Sequence, residues 1–107
     1  MNSRDKGKRG EREWAAYLTE LGFDARRGVQ YHGGPDSPDI CGGIPGTHAE
    51  VKRVERLNIH DAIQQAQDDS GGTLIPYVAH RRNRGEWLVT LRARDIIRLA
   101  QLLREAE

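Results

Sequence analysis

Apolar residues recur at helical spacing in three stretches of the chain and cluster in short runs between them. Trp14, Tyr17, Leu18 and Leu21 form a stripe that predicts a helix from about Gly7 to Leu21, stopped by Gly22. Asn58 can cap a second helix that turns Ile59, Ala62, Ile63 and Ala66 inward and ends at Gly71-Gly72. A third, from about Ala93 to Glu105, is expected to bury Ile96, Leu99, Ala100 and Leu103. Short strands are predicted at Phe23–Arg27, Ile40, Thr47–Arg53, Leu74–His80 and Glu86–Leu91. Pro76 places the fourth of these at a strand start or a sheet edge. The turn formers Gly42-Gly43-Ile44-Pro45-Gly46 would fold the Asp39 segment back on the Glu50 segment as a hairpin. The predicted order is α-β-β-β-α-β-β-α, an α/β domain with a mixed sheet flanked by helices. Residues 1–6 read as a flexible basic arm, Gly28–Ser37 as a loop, and 1–107 as a single domain.

Composition narrows the class. A chain of 107 residues with 31% charged and 36% hydrophobic residues supports one modest core, and dimerisation would add buried surface. No stretch approaches the roughly 20 apolar residues of a membrane helix. The opening residues lack the apolar run of a secretory signal. A single cysteine, Cys41, excludes an internal disulfide and fits the reducing cytoplasm, of a host cell if the chain is viral.

The candidate chemistry lies in Pro38-Asp39-Ile40 and Glu50-Val51-Lys52. In a strand, His48, Glu50 and Lys52 share one face while Ala49 and Val51 face the other way. A helix would set Glu50 and Lys52 about 200° apart. Two carboxylates can hold a hard divalent cation that keeps several waters, and an adjacent lysine can position one of them. That set points to metal-assisted hydrolysis of a phosphodiester. Asp36 belongs to a second Pro-Asp pair, but it sits in loop, whereas Asp39 leads into an apolar strand start; Asp39 is preferred. On the first helix, Glu11 projects about 60° from Trp14 and about 20° from Leu18, close to the buried stripe. Glu13 falls on the far side, toward solvent. Glu11 is therefore the third candidate acid, against a plain favourable placement near the helix N-terminus.

Net charge is only +1, but the charge is unevenly placed. Arg4, Lys6, Lys8, Arg9 and Arg12 crowd the start, Arg26 and Arg27 follow the first helix, and Arg81, Arg82 and Arg84 form a second patch. Basic patches around an acidic site suit a phosphate backbone, against the alternative of an ordinary solvated surface. His32 and Gln65 are further candidates for contact with phosphate or water. His48 reads as peripheral and His60 and His80 as surface residues. The four histidines lack the partner spacing of a zinc site.

With these residues assembled, the chain resembles the PD-(D/E)xK nuclease superfamily. Within it the likeness is greatest to the archaeal-type Holliday junction resolvases and their small bacteriophage relatives. Lys6-Gly7-Lys8-Arg9-Gly10-Glu11-Arg12-Glu13 is similar to the resolvases' basic opening with its Glu-Arg pair. Leu21-Gly22-Phe23 with Arg26 resembles their helix end, and Pro38-Asp39-Ile40 with Glu50-Val51-Lys52 matches the superfamily signature. The resemblance implies a restriction-endonuclease-like core, a Mg²⁺-dependent site in which Mn²⁺ can substitute, and a homodimer acting on four-way DNA junctions. It implies no membrane and no small-molecule organic cofactor. It makes Asp39 and Glu50 metal ligands, with the Val51 carbonyl and Glu11 as further ligand candidates. Lys52 would orient or activate water. Gln30, Tyr31 and His32 depart from the pattern, for they stand where the archaeal enzymes carry a serine.

The function expected is a structure-specific endodeoxyribonuclease that makes paired symmetric nicks. Two other readings compete with it: a less selective nuclease of the same superfamily in restriction or repair, and a non-catalytic DNA-binding dimer.

Overall fold

The computed structural model describes the backbone at residues 3–28 and 38–106 and the side chains at 7–28 and 38–106. The elements are α1 (Ser3–Glu20), β1 (Ala25–Arg27), β2 (Ile40–Gly42), β3 (Thr47–Arg53), α2 (Ile59–Asp69), β4 (Ile75–Arg81), β5 (Leu88–Leu91), a 3₁₀ turn (Ala93–Asp95) and α3 (Ile96–Glu105). The order is the one expected from periodicity. The first helix begins at Ser3 and not near Gly7, so the backbone of residues 3–6, read as part of an arm, continues α1.

β3, β4 and β5 form a mixed sheet, with β4 central, parallel to β3 and antiparallel to β5. Pro76 is the second residue of β4. β5 pairs only from Tyr77 onward, so the missing N–H of proline interrupts no bond to that neighbour.

The expected hairpin between the Asp39 and Glu50 segments does not form. β2 pairs antiparallel with β1 instead, Arg27 opposite Ile40. The reason lies at Gly28, whose N–H donates to the Asp39 carbonyl at 2.8 Å. A Cβ on Gly28 would fall 1.9 Å from the Pro38 carbonyl oxygen, so only glycine permits this approach. Apart from Gly28, the expected loop Gly28–Ser37 lies outside the described residues.

Alternation along β3 divides the molecule into two packed faces. Ala49 and Val51 join Trp14, Ala15, Leu18, Ile40, Tyr77 and Ala79 beneath α1. Val78 joins Ala62, Ile63 and Ala66 of α2 on the opposite side. The expected inward face of α2 is borne out, and the Asn58 side chain accepts from the Asp61 N–H as its cap. Within the α1 layer, the buried Trp14 Nε1–H donates to the Tyr77 hydroxyl at 3.0 Å. Trp14 also packs against Trp87 with ring centroids 5.1 Å apart. Replacing Tyr77 with Phe would leave that indole N–H buried without an acceptor. We expect a loss of roughly 1–3 kcal/mol, read from the urea midpoint; an unchanged midpoint would show that this bond adds nothing.

Two side-chain expectations are corrected. Glu13 is not simply solvated: it pairs with Arg9 and Arg53 and lies 3.7 Å from Arg81, tying α1 to β3 and β4. No residue of α3 is buried. Ile96 and Ile97 are exposed, Ile97 by 70%, as are Ala100 and Leu103, while Leu99 is half-buried. The helix is amphipathic as predicted, but it reaches the body of the domain through Leu102, which sits against Gly46, and leaves most of its apolar side uncovered.

Candidate active site

Three elements converge where β3 runs beside the entry to β2. Glu11 lies on α1, Asp39 immediately precedes β2, and Glu50 and Lys52 project from β3. A carboxyl oxygen of Asp39 accepts the Val51 N–H at 2.9 Å, so this side chain docks on the open edge of β3. The Gly46 carbonyl accepts from Ile75, which turns the even-numbered carbonyls of that stretch toward β4. The Val51 carbonyl, with its N–H, therefore faces the same edge as Asp39.

Glu50 lies on the opposite face from Val51, buried under α2 at 5% exposure. Burial, reinforced by the negative charge of Asp39, pushes its pKa from 4.5 up to about 7, against the opposing pull of Lys52. Lys52 Nζ stands 3.4 Å from Glu50 and donates to the Gln65 side-chain oxygen at 3.2 Å. Glu11 is buried and its pKa is raised, first by burial and then by Asp39. Arg27 offsets part of this from 2.9 Å. Asp39 thus acts electrostatically on both glutamates, and the three acids belong to one electrostatic unit.

The fit to a cation is a matter of donor chemistry. Hard oxygen donors in a half-dry setting, with a carboxylate that resists ionisation on its own, suit a divalent ion that would restore the charge balance. The ligand-sized cluster is, however, not the expected one. Among the described residues, the group of three donors within 4.8 Å of one another is His48, Glu50 and Asp69, not Glu11, Asp39 and Glu50. His48, read as peripheral, is 5% exposed. Asp69, at the end of α2, was missed altogether. Its signal in the sequence was an acid in the last turn of a helix, where the macrodipole disfavours it.

The basic candidates divide. Arg27 is committed to Glu11, Arg9 to Glu13, and Lys8 lies close enough to Glu11 to lower its pKa. Arg12, Arg82 and Arg84 are exposed. Arg81 lies over the Trp87 ring at 5.7 Å. Gln65 meets Lys52 as anticipated. His32 and the side chains of Arg4 and Lys6 lie outside the described residues. No helix among the described residues is long and apolar enough to cross a membrane.

Comparison with known proteins gives a consistent picture. No curated protein matches the sequence. Among solved structures, the Holliday junction resolvase Hjc of the archaeal hyperthermophile Archaeoglobus fulgidus is similar at 29% identity and a TM-score of 0.57, over 80% of this chain and 72% of that one. A family model, archaeal Holliday junction resolvase (Hjc), matches residues 2–102. That match takes in both helix faces, the hairpin and the acid–lysine cluster, and the chain belongs to the archaeal Holliday junction resolvase family.

Proposed function

We propose that Asp39, Glu50 and Lys52, with Glu11 behind them, form the catalytic centre of a Mg²⁺-dependent Holliday junction resolvase. The observation that carries this reading is the convergence of Asp39 on the β3 edge with Glu50 and Lys52 a few ångströms along the same strand.

The family is one of metal-dependent junction endonucleases. A divalent cation bound here would neutralise charge on the scissile phosphate and acidify a water. The residues do the rest. Asp39 and Glu50 offer anionic oxygens, and the Val51 carbonyl offers a neutral one on the same edge as Asp39. Lys52 is held between Glu50 and Gln65, so its ammonium is aimed before substrate arrives. It can orient the attacking water and accompany the negative charge that builds on the phosphate. Glu11 extends the acidic field, and Arg27 fixes its position.

Arg12, Arg82 and Arg84, exposed and not committed to acids, would contact the backbone of branched DNA and read its shape. Paired nicks across a junction need two centres related by symmetry, so the working form is a homodimer. The uncovered apolar side chains Ile96 and Ile97 of α3 support a second copy packing there. The whole chain of 107 residues acts as one nuclease domain.

The test is cleavage of a synthetic four-way junction beside a flap and a linear duplex of the same sequence. With Mg²⁺ or Mn²⁺, symmetric nicks in the junction at least tenfold faster than in the other two are expected. Equal rates on all three would favour a general nuclease, and tight junction binding with no nicking would favour a binding protein.

A further inference from the structure

We propose that His48, Glu50 and Asp69 form a second divalent-cation position, joined to the proposed catalytic one through the shared Glu50 carboxylate. It would take first-row ions that accept imidazole, such as Mn²⁺, Co²⁺ or Zn²⁺, in preference to Mg²⁺. The proposal uses Glu50 in common with the catalytic reading but does not depend on cleavage.

Strand alternation puts His48 and Glu50 side by side on the α2 face of β3. Asp69, the last residue of α2, reaches them from above. One donor atom from each lies within 4.8 Å of the others. Ligands at about 2.0–2.2 Å from a common ion stand roughly 3 Å apart, so modest side-chain rotation would close the set.

Two independent features point to an ion. His48 is 5% exposed, yet its ring makes no hydrogen bond among the described residues. Its ring nitrogens are not among the fully enclosed unpaired atoms, so an ion can reach them. Asp69 likewise makes no hydrogen bond or ion pair there, and it stands at the negative end of the α2 dipole with no basic residue in the last turn. A carboxylate aimed at another carboxylate from a helix C-terminus is locally unfavourable, and a cation among them reverses the sign of each interaction. The nitrogen donor decides the class of ion: imidazole suits borderline transition metals, whereas Mg²⁺ holds to oxygen.

Co²⁺ and Mn²⁺ are the probes. Co²⁺ bound to imidazole shifts the His48 ring resonances strongly, and Mn²⁺ titration counts sites. Wild-type protein should bind two Mn²⁺ per chain and show the Co²⁺-dependent shift. His48→Ala and Asp69→Asn should each weaken this position at least tenfold and reduce the Mn²⁺ count to one. Asp39→Asn should keep the His48 shift. Wild-type affinity and stoichiometry in both variants would overturn the proposal. Should His48→Ala fail to fold, Asp69→Asn alone decides, because its half-buried side chain supports no core packing. If Asp39→Asn still cleaves junctions, the catalytic reading fails while the Co²⁺ result continues to judge this one.

Discussion

Asp39→Asn is expected to lower single-turnover cleavage of a four-way junction about 10³-fold, the scale on which groups that stabilise transition-state charge act. The variant is chosen because it removes charge and little else. An asparagine carbonyl can still accept the Val51 N–H now bonded at 2.9 Å, so the β3 edge and the Gly28 contact stay in place. What disappears is one anionic oxygen of the proposed ion site and the field that Asp39 exerts on Glu11 and Glu50. Junction affinity should be unchanged or rise, since an anion facing the phosphate backbone has been removed. Lys52→Ala should match the loss of rate by a different route. It frees Gln65 and leaves Glu50 without its cation, and here divalent affinity should survive while turnover does not. Cleavage by Asp39→Asn within tenfold of wild type, in a protein with the wild-type melting temperature, would remove Asp39 from the mechanism.

Most of the architecture was legible because periodicity and burial agree. Of the α1 stripe, Trp14 and Leu18 are buried while Tyr17 and Leu21 are exposed; the α2 face of Ala62, Ile63 and Ala66 and the split of β3 into two faces follow from spacing. The hairpin partner of β2 was not legible. Turn formers at 42–46 permit pairing with β3, and the choice of β1 depends on a carbonyl–amide contact at Gly28 that no local pattern encodes. The fate of α3 was hidden for a related reason: amphipathicity reports which side is apolar, not whether the chain itself supplies a cover.

At the site, Asp39, Glu50, Lys52 and Gln65 were found from residue type and spacing, and the structure brings them together. His48 was misjudged because alternation fixes its face but not that α2 lies over that end of the strand. Asp69 was missed because the contact between β3 and the end of α2 is nonlocal.

Glu50 should make the metal-free protein less stable as pH rises, and a divalent cation should reverse the trend. Its pKa is about 7 in the fold against 4.5 for the ordinary value. Between those limits the folded state holds a proton that the unfolded chain has released, so unfolding releases protons and stability falls with rising pH. The sign is opposite to that of an ion-paired carboxylate, whose folded pKa is depressed. Across the window the loss amounts to about 3 kcal/mol at most, at roughly 1.4 kcal/mol per pH unit. Glu11, raised in the same direction, adds to the slope. In a domain of this size the melting temperature should drop by roughly 10 °C between pH 5 and pH 8 without metal. Glu50→Gln removes the titration, so the variant should lose most of that slope and melt higher than wild type at pH 8, while cleavage falls about 10³-fold. Adding Mn²⁺ should raise the melting temperature of wild type far more at pH 8 than at pH 5.5, because ion and proton compete for the same oxygens, and should do little for Glu50→Gln. A melting temperature of metal-free wild type that climbs or stays level from pH 5 to pH 8 would mean that this carboxylate is ionised in the fold without help. The site would then be built on charge balance within the protein, not on an ion that completes it.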